Sequence, residues 1–83
     1  SLVGSEMCKE TGIIIGSPCS LEAWDGADEP VLSEQNLYFS RKDEVKEYLN
    51  EKLQKYKGGM VECYVYQFYK DKPREISVSF IVK

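Results

Sequence analysis

The chain contains no histidine. That absence removes the usual general base near neutral pH and the commonest metal ligand. A Ser-His-Asp or Cys-His arrangement therefore cannot be assembled within one chain. Long apolar runs are missing too. The longest purely aliphatic run is Ile13-Ile14-Ile15, far short of the roughly 20 residues that cross a bilayer. No basic stretch leads into an apolar one as in a signal peptide. Cys8, Cys19 and Cys63 include no C-x-x-C pair, and an odd count at wide spacing argues for thiols in a reducing compartment. These absences lead to the expectation of a soluble, cytoplasmic protein without a membrane partner.

Other chemistries fall with the motifs they need. The glycines of "GIIIGS" lack the G-K-[S/T] ending of a phosphate loop, and three isoleucines fill the space where backbone would approach phosphate. Asp25-Gly26-Ala27-Asp28 does not supply the D-x-[D/N]-x-[D/N]-G of an EF-hand, so it reads as a solvated acidic turn. The three cysteines have neither zinc-ligand spacing nor a fourth ligand of the usual kind. Cys19, in "GSPCS", is the most nucleophile-like position, but an acidic neighbourhood does not favour a thiolate. No catalytic, metal or cofactor-binding residue is assigned, and the chain is read as non-enzymatic.

What remains is a single domain of 83 residues. A chain this short buries about 60% of the surface its unfolded form exposes, which leaves one thin core. Charge is unevenly spread. Residues 1–40 hold one lysine against seven acids, whereas residues 41–83 hold ten basic side chains against seven acids. Such asymmetry can steer association with a partner or with another copy.

Along the chain, residues 1–9 have no period and read as a mobile arm. Ile13–Ile15, bounded by Gly12 and by Gly16-Ser17-Pro18, reads as a short buried strand. "LEAW" and "PVLS" flank the Asp25-Gly26 turn as a hairpin. "NLYF", 36–39, is a strand leading into a helix over about 41–57. Ser40 is its expected N-cap, with Asp43 in the capping-box position. Val45, Tyr48, Leu49, Leu53 and Tyr56 share one face of it, and Gly58-Gly59 ends it. The fold class is α+β: a small antiparallel sheet of three to five strands with one helix on one face, in the order β-(hairpin or loop)-β-α-β-β.

The closing hairpin decides the function. Ile76, Val78, Phe80 and Val82 alternate with polar residues and define a buried face. With a four-residue loop at 71–74, Lys70 pairs with Glu75. Val61, Cys63, Val65 and Gln67 then face the core. Tyr64, Tyr66 and Phe68 fall outside, opposite Ile81, Ser79 and Ser77. A slip of one residue would exchange the two faces. The favoured register leaves a row of rings across from serines, a patch that needs a partner on a free monomer.

Two surfaces follow. Tyr64, Tyr66, Phe68, Ser77, Ser79 and Ile81 form a self-interface, giving a homodimer. Glu22, Trp24, Asp25, Asp28 and Glu29 form a docking loop for another protein, with Trp24 as its anchor. An acidic inhibitor or decoy for a basic site is the alternative. A third reading is a ligand-binding or catalytic pocket between helix and sheet, lined by Tyr48, Tyr56 and Cys63. The rings could stack single-stranded nucleic acid, and Lys70, Lys72 and Arg74 supply a modest basic patch. The negative balance and the lack of basic residues between Lys9 and Arg41 argue against that partner.

Overall fold

Asp25-Gly26 turns the chain as its composition demands, with Gly26 at φ 97°, a conformation glycine adopts without steric cost. The computed structural model of the protein describes residues 7–9 and 11–83. The turn joins β1 (Cys19–Trp24) to β2 (Leu32–Leu37). Helix α1 (Lys42–Lys52) follows, then a 3₁₀ turn (Gln54–Tyr56), then β3 (Met60–Tyr69) and β4 (Lys72–Ile81). All strand pairs are antiparallel and the sheet order is β2-β1-β3-β4. The α+β architecture expected from the sequence is therefore present, with β1 lying between the two strands that the helix connects.

One face of the sheet is covered. Cys19, Leu21 and Ala23 of β1 and Val61, Cys63 and Val65 of β3 point into a core that includes Val45, Leu49 and Leu53 of the helical segment. These helical positions recur at four-residue spacing, which puts one apolar stripe against the sheet. The helix is shorter than its periodicity suggests. After Lys52 the chain tightens into the 3₁₀ turn, which sets Tyr56 against the core. The chain then reaches Gly58, whose N–H donates to the Val82 carbonyl at 2.8 Å. Its N-terminus is capped differently from expectation. Glu44, rather than Asp43, accepts the Ser40 and Arg41 N–H groups, at 2.7 and 2.8 Å, because Arg41 is the cap residue and Glu44 the third residue after it.

Two expected strands also change. Ile13–Ile15 is buried throughout but forms only an isolated bridge, Ile14 with Met7. Gln67 takes the place of a strand partner: its side-chain oxygen accepts the Ile14 N–H at 2.7 Å and its amide donates to the Ile14 carbonyl at 3.3 Å. Gly12, at φ 81°, lies so close to Ile76 that a Cβ would sit 3.0 Å from its Cγ2. "NLYF" is a strand only as far as Leu37. Gln35 and Asn36 lie opposite Ser20 as a bulge, with Asn36 at φ 60°. The extra residue restores phase so that Leu37 packs on the core. Of the arm expected over 1–9, residues 1–6 lie outside the described residues. Cys8 is fully buried and its N–H donates to the Ile13 carbonyl at 2.8 Å.

The closing hairpin turns in two residues rather than four. Lys70 and Asp71, at φ 53° and 63°, form the turn, and Tyr69 pairs with Lys72. Positive φ at both positions matches the right-handed twist of paired strands, which a conventional turn would splay. Pro73 is tolerated because β4 is a sheet edge. In addition, the pair next to the closing one does not exchange hydrogen bonds, so its missing N–H faces away from β3. Each partner in β4 therefore lies four residues earlier than expected. Tyr64 faces Ser77, Tyr66 faces Glu75 and Phe68 faces Pro73. An even slide changes no face.

Candidate functional site: the open face of the sheet

The residues that alternate with the core of β1, β3 and β4 form the second face of the sheet, and among the described residues no helix covers it. Tyr64, Tyr66 and Phe68 run along its central strand. Ser20 and Glu22 of β1 stand beside Tyr66 and Tyr64, and Trp24 stands beside Glu62. On the other flank Ser79, Ser77, Glu75 and Pro73 face Glu62, Tyr64, Tyr66 and Phe68, and Met60 faces Ile81. Phe68 is 68% exposed, Met60 59%, Ile81 56% and Tyr66 39%. Tyr66 and Phe68 adjoin toward the hairpin and Met60 and Ile81 at the far end, with Glu62, Ser79, Tyr64 and Ser77 between the two groups.

Two shallow depressions divide this face. One, of about 660 Å³, lies toward the hairpin end and includes Ser20, Tyr66, Phe68 and Pro73. The other, of about 480 Å³, includes Glu22, Trp24, Glu62 and Tyr64. Tyr66 and Glu75 line both, so the two are halves of one trough. Gly26 and Ala27 also line the second, which places the acidic loop at its end.

The two surfaces expected from the sequence are thus brought together. Trp24 and Glu22 belong to the same face as Tyr64, Tyr66, Ser77, Ser79 and Ile81, while Asp25, Asp28 and Glu29 sit exposed in the loop beyond it. The expectation overlooked Glu62 and Glu75, although strict alternation with Cys63 and Ile76 was enough to find them.

The face is electrostatically one-sided. Among the described residues, the register assigns it Glu22, Glu62 and Glu75 and no lysine or arginine. Ser79 donates a hydrogen bond to Glu62. Partial desolvation pushes the Tyr66 hydroxyl above the usual phenol range, and the carboxylates of Glu22 and Glu75, with Tyr64, add to the effect. Both carboxylates therefore act on the ring at the centre of the trough.

Elsewhere the candidates disperse. Cys63 is sealed in the core, and burial, with Glu62 adding, pushes its thiol up to about 11. Burial does the same to Cys19, also to about 11, so neither thiol is a nucleophile at neutral pH. Tyr48 packs edge-on against Phe39 at 5.5 Å. The depression beside it is lined by Tyr48, Phe39 and residues of the helix, and not by Tyr56 or Cys63. Arg74 leaves the basic patch at the hairpin. It turns toward the covered side, donating to the Gly12 carbonyl and to Gln67, both at 3.2 Å. Among the described residues no three histidine, cysteine or carboxylate side chains converge as a metal site, and no helix is long and apolar enough to cross a membrane.

Comparison with known proteins gives no match, whether to family models, to curated proteins or to solved structures.

Proposed function

We propose that this chain is a non-enzymatic protein-interaction module that works through the open face of its sheet. One observation carries the reading. The helix covers one face of the sheet, while Phe68, Tyr66, Met60 and Ile81 stay open on the other. Aromatic residues are enriched at the centres of protein interfaces, where they offer large contact area at little entropic cost. Trp24 and the acidic loop are one end of this surface rather than a separate docking site. Three cysteines, all buried as thiols, support a reducing, cytoplasmic setting.

Self-association is the second reading. Lys70 is exposed at the hairpin tip, at the opposite end of β3 from Trp24 and the acidic loop. A copy laid antiparallel across the face would bring one tip toward the other's loop. Absolute mass from light scattering, across protein concentration and at two salt levels, tests both. A monomer at all concentrations, whose face nevertheless captures another protein, is the expected result. A dimer abolished by Phe68→Ser would establish self-pairing through this face. A dimer unaffected by that change would remove the face from the interface altogether.

A further inference from the structure

Resting on the reading of this face as a docking surface, we propose that its partner is a basic, arginine-bearing segment of another protein. The argument is one of charge complementarity. The acids on the face are Glu22, Glu62 and Glu75. Arg74 borders the hairpin-end depression beside Glu75, but its guanidinium turns to the covered side, where it donates to the Gly12 carbonyl and to Gln67. An apolar partner would bury these carboxylates without a counter-charge, which is unfavourable. A second copy would add three more glutamates to the same contact. Phosphate-bearing ligands are repelled outright.

A cation meets the opposite situation. The electron-rich faces of Tyr64, Tyr66 and Trp24 attract it, and carboxylates stand on either side: Glu22 across from Tyr64, Glu75 across from Tyr66. Among the described residues, the protein's own cation–ring contacts are made elsewhere, Lys52 over Tyr48 and Lys70 over Tyr69, so nothing of its own competes. Arginine suits this surface better than lysine, because its planar guanidinium stacks on a ring while its N–H fork pairs with a carboxylate. From Glu62 to Phe68 the trough runs about 20 Å at the usual rise of a strand. That length takes an extended segment of roughly six residues, with alternate side chains pointing down onto the face.

The experiment uses the full chain, isotope-labelled, titrated with a peptide of alternating arginine and serine about eight residues long, and with lysine and glutamate versions of it. The arginine peptide is expected to shift the amides of Trp24, Tyr64, Tyr66 and Glu75 and to change Trp24 fluorescence. The lysine peptide should bind several-fold more weakly and the glutamate peptide not at all. In the doubly substituted Glu22→Gln/Glu75→Gln chain, checked for retained spectral dispersion, arginine-peptide affinity should fall at least about tenfold at low salt, as expected when one charge-assisted contact is lost. Shifts confined to Asp25–Glu29, or an affinity untouched by the double substitution, would overturn the proposal. So would absence of binding. If the chain then forms a dimer that Phe68→Ser abolishes, the docking face survives with a different occupant. If it is a monomer as well, both readings fall.

Discussion

Strand β3 carries two surfaces on one backbone. On one side Val61, Cys63 and Val65 are at most 1% exposed and Gln67 is 4% exposed, whereas on the other Met60, Tyr66 and Phe68 stand open. The usual antiparallel sheet with one solvated face alternates apolar inside with polar outside. Here the outer positions are aromatic and acidic instead. The faces differ in composition as well as in what covers them, since Glu22, Glu62, Glu75 and several serines interleave the open one. The inner face is β-branched and aliphatic, shapes that interdigitate under a helix. The outer face holds large rings and carboxylates, which suit a flat contact with something that brings its own polar groups.

The largest test of this contrast is in the covered side. Leu49 is fully buried beneath the sheet, and Leu49→Ala should destabilise the protein by about 3 kcal/mol through lost burial and the cavity left behind. Urea denaturation would measure it. For a chain this size that is a large share of total stability, and a loss below about 1 kcal/mol would mean the helix is not what holds the face.

A smaller effect is expected in alkali. Cys19 and Cys63 keep their protons in the fold up to about pH 11, against an ordinary value of 9.0. Unfolding between these values therefore releases protons, so stability is fully present below pH 9 and falls as pH rises toward 11. Urea midpoints across this range should decline, and a Cys19→Ala/Cys63→Ala chain should decline less steeply. An identical slope would show that other groups, the tyrosines foremost, carry the alkaline transition.

The smallest expected change is Phe68→Ser on the open side. With most of the ring already in water, stability should stay within about 0.5 kcal/mol of the parent. A loss on the scale of a core residue would mean that something in this chain covers the face, and the comparison of the two surfaces would collapse.

A polar side chain sits on the covered side at Gln67, in a strand position expected to be core. It is buried, yet its amide is paired with Ile14, Ser17 and Arg74. Burying an amide is affordable only with such partners. Ile14 and Ser17 come from a segment about fifty residues earlier in the chain and Arg74 from the next strand, so nothing within β3 itself reveals them. At Ile14 a side chain satisfies the backbone groups that a neighbouring strand would have paired.

Local chemistry determined much of this protein without help from the rest. The stripe of Val45, Leu49 and Leu53, the glycines that end the helical segment, the Asp25-Gly26 hairpin and the alternation of β3 and β4 are written within windows of a few residues. Alternation puts Tyr64, Tyr66 and Phe68 on one side together, the favoured loop register sets that side away from the core, and the assignment survives a four-residue error in pairing because the period of a strand is two. Tertiary structure decided the rest. The tight Lys70-Asp71 turn is imposed by strand twist, since Asp71 tolerates positive φ but Lys70 has no preference for it. The bulge at Asn36 exists because β2 must regain phase against β1. Trp24 joins the tyrosine row, and Glu22, Glu62 and Glu75 become one acidic surround, only because β1 and β4 flank β3. Strand order is set by the whole chain folding at once, and it is strand order that made two separate sequence signals into a single surface.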